Sequence, residues 1–421
     1  MPQTGFPFEW VLGTVFVAVF NALFNPIFWA VMVLVALQYR RIAQMRRSFL
    51  GSGRNSIVAD TLTATAYGLL GGLIGGYLIV FAGVTLSLDK FPIIPLLTAA
   101  ILLMLINPRF LCFAYAGGLL AFTHLLVGFP EMIIPQVMAL VAVLHFVESV
   151  LILLSGHLGA IPSFVRLPRG QIVGGFTLQK FWPIPIVALV LVPGTAAAGA
   201  SVMPMPEWWP LIKPEVVAEP ATMVFAMFTL VAGLGYADVA TTRTPSDKSR
   251  TSAVYLATYS AVLFVLAVLA GAHGGAWLWA AALFAPLGHE LVIQASKMME
   301  LNGQPLFVPH PAGVRVLDVV VGSPAWRAGL RSGDVILEIN HYPALSRGDL
   351  LLLVSQPGLK EISYLQREKH YRRETVHLEA GQPFGVMPVP EGNEQMYLEL
   401  QGTPPLVRWL TRGRRPVNRR G

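Results

Sequence analysis

Nine apolar stretches constrain this fold more than any other feature of the sequence. They fall at 10–37, 58–84, 91–106, 110–128, 132–155, 181–199, 221–237, 252–271 and 276–293, each near the roughly 20 residues a helix needs to span bilayer hydrocarbon. Only 13% of the residues are charged against 54% hydrophobic, a balance that excludes an ordinary soluble protein. The expectation is a polytopic α-helical membrane domain over 1–300. The first stretch is overlong and interrupted by Asn21, Asn25 and Pro26, so its first half either crosses or lies in the interface.

Arginine and lysine set the orientation, because cytoplasmic loops carry their excess. Arg40, Arg41, Arg46, Arg47 and Arg54 fill the first loop, Arg166, Arg169 and Lys180 follow the fifth stretch, and Arg243, Lys248 and Arg250 precede the eighth. Alternation puts all three loops on one side and the acidic run Glu207, Glu215 and Glu219 on the other. A multi-pass protein of the cell membrane results, with its N-terminus outside and everything after residue 300 cytoplasmic. No basic region precedes the first apolar run, so that segment reads as retained. The net charge of +7 is concentrated in the loops and in a basic tail at 401–421, which holds Arg408, Arg412, Arg414, Arg415, Arg419 and Arg420. Such a tail suits anionic membrane lipids, at about 1 kcal/mol per basic residue near the surface, or is simply solvated. No base-stacking or groove-reading motif accompanies these charges, so no nucleic-acid partner is expected.

The chain changes character after residue 300. A β-branched strand at 314–321 leads to Ser323 and Pro324, an N-cap and first-turn pair, and Gly329 stops the short helix they open. Gly333-Asp334 turns into an apolar strand at 335–339, Ser346 starts a second helix over 345–354, and strands at 361–367 and 371–378 follow. Turn residues at these fixed offsets are those of a PDZ module, a small α+β barrel, assigned to 301–400. The fold class is a polytopic α-helical membrane protein with a C-terminal PDZ domain.

A PDZ module takes a partner's C-terminal peptide as an added strand, and backbone N–H groups of an apolar-Gly-apolar loop hold the carboxylate. Leu306-Phe307-Val308 stands where bacterial modules carry that loop. It lacks the glycine and is crowded by Pro309 and Pro311, which have no N–H to donate. Phe384-Gly385-Val386, followed by Met387, has the pattern but comes after the last strand. It implies a circularly permuted module, with 395–400 closing the sheet and with Leu350 and Leu353 on the opposing helix. The competing occupant of the groove is the chain's own tail.

No complete catalytic set is legible. His289-Glu290 opens a zinc-protease HExxH pattern, but Ile293 replaces the second histidine. His145 and Glu148 share a helix face and form a proton or metal site with His124 or His157, or merely a hydrogen-bonded pair. Ser155-Gly156-His157 lacks the glycine two residues before the serine. Cys112 is the only cysteine, which excludes an intramolecular disulfide and a cysteine-based metal cluster. The expectation is no catalytic residue, no metal and no cofactor. Two alternatives stay open: a site-2-type intramembrane protease or PDZ-bearing protease regulator, and a transporter with a regulatory PDZ domain. Gly68, Gly71, Gly72, Gly75 and Gly76 allow close backbone approach, either inside the chain or in self-association.

Two short extended runs around a turn at 168–170 predict a cytoplasmic β-hairpin between the fifth and sixth stretches. Its second half reads Gly174-Gly175-Phe176-Thr177-Leu178-Gln179-Lys180-Phe181-Trp182-Pro183-Ile184-Pro185. With the membrane block and the C-terminal PDZ module, this loop resembles the MinJ family of Gram-positive bacteria over nearly the whole chain. The resemblance implies a non-enzymatic membrane scaffold at septum and poles. There it links a DivIVA-like protein to the division inhibitor, a MinD-like protein, and so restricts where the septum forms.

Overall fold

The computed structural model describes residues 6–50, 56–87, 90–193, 205–206, 208–212 and 223–399. The first block contains α1 (Phe8–Asn21), α2 (Pro26–Leu50), α3 (Ile57–Ala82), β1 (Thr85–Leu86), α4 (Ile93–Ile106), α5 (Phe113–Val127) and α6 (Ile134–Ser155). It continues with β2 (Ile161–Arg166), β3 (Ile172–Pro193), β4 (Met223–Ala240), α7 (Pro245–His273) and α8 (Ala276–Asn302). Among the described residues five helices, α2, α3, α6, α7 and α8, are long and apolar enough to cross a membrane.

The break in the first stretch falls where the prolyl ring denies a helical N–H: α1 ends before Asn25 and Pro26 opens α2. The two helices lie along successive halves of α3. Tyr77 donates to Leu12 O at 3.2 Å near one end, and Arg46 sits 3.8 Å from Asp60 near the other. They make one interrupted descent.

The stretches at 91–106 and 110–128 form two short apolar helices. Helices α4 and α5 have 14 and 15 residues, about 21–22 Å at 1.5 Å per residue, short of the roughly 30 Å of hydrocarbon. Asn107 and Pro108 end the first, and Cys112 caps the second. Their connection meets the middle of α8, where Arg109 pairs with Glu290 at 3.1 Å. The pair is a hairpin that reaches half-way into the block.

The stretches at 181–199 and 221–237 depart further from expectation. Instead of helices they form β3 and β4, paired antiparallel from Phe176↔Ala240 to Pro193↔Met223. Pro183 and Pro185 remove two helical donors within three residues, and Ile184, Ile186, Val187 and Val190 favour extended backbone. Residues 194–199 and 221–222 of those stretches, Glu207, Glu215 and Glu219, and the basic tail lie outside the described residues. The glycine stripe of α3 packs on this strand within the chain. A Cβ on Gly68 would stand 2.0 Å from Pro183 O, and one on Gly72 would stand 2.2 Å from Pro185 O. Helix α6, buried along nearly its whole length, forms the centre of the block.

The second unit holds β5 (Val314–Val319), α9 (Pro324–Arg327), β6 (Val335–Ile339), β7 (Tyr342–Pro343), α10 (Arg347–Leu353), β8 (Gly358–Gln366), β9 (His370–Leu378), β10 (Val386–Pro388) and β11 (Leu398–Glu399). Its sheet runs β10-β5-β6-β8-β9, with β7 on β6. Ser323 caps α9 by accepting from Trp326 N at 3.2 Å, and Ser346 with Asp349 forms a capping box on α10. Asp334 accepts from Arg331 N at 2.8 Å and Arg367 N at 3.1 Å, which is why Gly-Asp stands at that turn.

The expected closing strand at 395–400 goes elsewhere. Pro388 is still paired with Val316 and Val389 N donates to Arg315 O at 3.0 Å, but Pro390 has no N–H to continue the ladder, and β11 pairs in parallel with β2 of the first block, Leu398 beside Val165; Leu400 lies outside the described residues. The predicted hairpin is β2 with β3, in register from Ile161↔Thr177 to Arg166↔Ile172.

Candidate peptide-binding groove

Strand β10 is the edge of the module's sheet, and helix α10 faces it. Between them lies a cavity of about 630 Å³ lined by Phe384, Gly385, Val386 and Met387 on one wall and by Leu350, Leu351 and Val354 on the other. Leu350 is buried at the base, while Leu351 is well exposed.

The loop before β10 has its shape because of one glycine. Gly385 has φ +85°, and a Cβ there would lie 2.3 Å from Ser323 Cβ, so a side chain meets both backbone strain and overlap. The carbonyls of the loop point into the fold: Ala325 N donates to Phe384 O at 3.1 Å and Val320 N to Gly385 O at 2.8 Å. Among the described residues the N–H groups of Phe384 and Gly385 donate to nothing. Two unused donors over an apolar cavity suit a terminal carboxylate whose side chain enters the cavity.

The two candidate loops separate. Phe384, Gly385, Val386, Met387 and Leu350 come together at the cavity. Leu353 packs against the module's core, and His341 sits exposed in the turn between β6 and β7, 3.5 Å from Glu361. The Leu306-Phe307-Val308 segment is remote from the groove and joins the module to the first block. Phe307 O accepts from Gly174 N at 2.8 Å, and its ring meets Phe176 edge-on at 5.2 Å. A Cβ on Gly174 would lie 2.8 Å from Phe307 Cβ and 3.0 Å from Leu317 Cδ1, so glycine is what allows this contact.

Two lining residues escape local sequence reasoning, Phe164 from β2 and Met396 beyond β10. The strap after β10 explains both. Glu391 accepts from Arg347 N at 2.6 Å at the start of α10, Met396 reaches the cavity, and Tyr397 accepts from Arg166 at 2.8 Å. One end of the groove is thus walled by the first block and the strap. On β5, burial pushes the Asp318 carboxyl up to about 6, against the opposing pull of its Val319 N–H bond and of Arg46.

The candidate catalytic groups of the first block are engaged in other contacts. Glu290 is engaged by Tyr115 at 2.7 Å, Gln294 at 2.6 Å and Arg109 at 3.1 Å. Ser155 donates to Leu151 O and accepts from Trp182 Nε1 at 3.2 Å. His124 bonds Pro130 O at 2.7 Å. His145 donates from Nδ1 to Val141 O at 2.7 Å and turns Nε2 toward Cys112, so neither ring nitrogen serves Glu148.

Architecture and groove define a PDZ-bearing protein whose module is docked on a block of apolar helices. A PDZ domain family model matches residues 315–358. The chain is similar to the cell division topological determinant MinJ of Bacillus subtilis (strain 168), at 24% identity over 343 residues, 77% of this chain and 81% of that protein. The resemblance to the MinJ family read from the sequence stands. A second relative, HhoA of Synechocystis sp., described as a serine protease, is 32% identical over 91 residues, only 22% of this chain and 23% of that protein. That match has the length of a PDZ module and carries no catalytic unit across.

Proposed function

We propose that this chain is a multi-pass membrane scaffold that helps select the division site and holds partners through protein–protein contacts at a cytoplasmic PDZ groove. The observation that carries the reading is the joint one. A relative described as a topological determinant of cell division matches across 77% of the chain, and the C-terminal unit presents a glycine loop with unused donors over an apolar cavity. The orientation is supported by charge: Arg46 near the end of α2, Arg166 at the end of β2 and Lys248 in the first turn of α7 contact Gly159, Tyr397 and Glu300, at the end of the block where the module docks. On this reading Phe384, Gly385, Val386 and Met387 receive a partner's C-terminal residues, Leu351 and Val354 contact its side chains, and the partners are a DivIVA-like protein at pole or septum and a MinD-like inhibitor.

The test is a photo-crosslinking residue at Leu351 of the full chain in living rod-shaped cells. Products with a DivIVA-like or MinD-like protein support the proposal. Products confined to lipid or to the chain's own tail overturn the groove's part in it.

A further inference from the structure

We propose that Cys112, His145 and His289 form a metal site in the middle of the helical block, for a d10 ion of soft to borderline character, zinc or copper(I). The sequence alone excludes a site built from cysteines. The fold brings the one cysteine to two histidines from other helices. Cys112 Sγ lies 3.1 Å from His145 Nε2 and 3.9 Å from His289 Nε2, and the three ligand atoms fall within 4.8 Å of one another. An ion bound at about 2.3 Å to sulfur and about 2.0–2.1 Å to nitrogen places sulfur and nitrogen roughly 3.5 Å apart in tetrahedral geometry, between the two observed separations.

Three further observations point to an ion rather than a plain hydrogen bond. His145 is buried and gives its Nδ1–H to Val141 O at 2.7 Å, which fixes the tautomer with the Nε2 lone pair toward Cys112, as in metal-ligating histidines. Among the described residues His289 Nδ1 is buried without a hydrogen-bond partner, so the ring's one polar contact is Nε2 beside Cys112 Sγ at 3.9 Å, a weak contact that an ion between the two atoms would replace. The rings of Tyr115 and Tyr259 stand edge-on to His289 at 5.2 and 5.5 Å and shield the cluster. One thiolate with two imidazoles suits zinc or copper(I) and not the hard cations. On binding, the Cys112 thiol releases its proton to solvent and sulfur bonds the ion. Glu290 is held by Tyr115, Gln294 and Arg109, so it does not face the ion as a catalytic base. The role is structural: the ion pins the tip of the half-depth hairpin, at Cys112, to α6 and α8.

The inference is independent of the division-site reading. The full chain, purified in detergent, is loaded with zinc or with copper(I), desalted and assayed for metal by mass spectrometry. About one ion per chain is expected, with an X-ray absorption spectrum of one sulfur near 2.3 Å and two nitrogens near 2.0 Å. Cys112→Ser, His145→Ala and His289→Ala each weaken loading by roughly tenfold to a hundredfold or more, while His124→Ala retains it. The absorption spectrum needs no variant, so a variant that fails to fold leaves the test intact. Wild-type chain that keeps less than about one ion in ten chains of either metal, or a spectrum without sulfur, overturns the site.

Discussion

Lys248 is buried at 1% exposure where α7, α8 and the end of β4 meet, and its replacement by methionine has a large calculable effect. Its Nζ stands 3.3 Å from Glu300 Oε1 and 3.4 Å from Asp238 Oδ1, and donates to Ser296 Oγ at 2.8 Å. Glu300, at 2% exposure, also takes the N–H groups of Thr241 and Thr242 at 2.8 and 2.9 Å. Each ionic attraction is about 5 kcal/mol at an effective dielectric near 20, and desolvation of the charges offsets most of it while the group is whole. Removing only the lysine leaves two carboxylates with Arg243 alone, 3.8 Å from Glu300, and costs roughly 3–5 kcal/mol. Thermal unfolding of the full chain in detergent micelles, followed by tryptophan fluorescence, should show a midpoint about 3–6 °C lower for Lys248→Met, because in a chain this long each kcal/mol moves the midpoint by only about 1 °C. Adding Glu300→Gln should recover about 2 kcal/mol, the signature of coupled neighbours. A Lys248→Met midpoint within about 1 °C of wild type, or strict additivity with Glu300→Gln, refutes the buried-ion reasoning.

Gly385→Ala forces a non-glycine residue to φ +85° and into Ser323. It should lower peptide affinity by more than about tenfold, from roughly 2 kcal/mol of strain and overlap, measured by crosslinking yield from Leu351. Gly174→Leu should free the module from the first block, read as new protease cutting near 303–312 with the module itself intact. Asp318 has a folded-state value raised to about 6 from 3.8, so between about pH 4 and 6 the native state holds its proton longer than the unfolded one, and stability falls as pH rises through that window. Asp318→Asn should therefore stabilise the protein at pH 7.5, by about 2 kcal/mol after a discount for partial exposure. The gain should vanish below about pH 4, read by unfolding midpoints at the two pH values.

The module was legible because its determinants are local. Ser323 and Ser346 cap helices three residues ahead, Gly333-Asp334 makes one turn, and Phe384-Gly385-Val386 carries its loop geometry in three consecutive residues. The first block was read by hydropathy, which reports burial in lipid or core but not the backbone that achieves it. The apolar runs that become β3 and β4 are as hydrophobic as a spanning helix, and only Pro183 and Pro185 hint otherwise. The glycines of α3 announced close approach, yet nothing in their spacing says that the neighbour is a strand. Phe307 looked like part of a ligand loop because it is apolar and precedes β5; its real partner, Gly174, is 133 residues away in the chain. The cluster of Cys112, His145 and His289 was invisible for the same reason, since its members come from the cap of α5 and from α6 and α8, whose packing no local pattern encodes.

The central claim is that this chain, through its docked PDZ groove, acts in division-site selection. The most direct measurement is live imaging of rod-shaped cells that express fluorescent full-length chain, the Gly385→Ala chain, or a chain lacking 305–421, each scored for position and for septum placement. The account predicts enrichment of the full chain at septa and poles, and misplaced septa with both altered chains. An even membrane distribution of the full chain, with normal septa whichever chain is present, contradicts it.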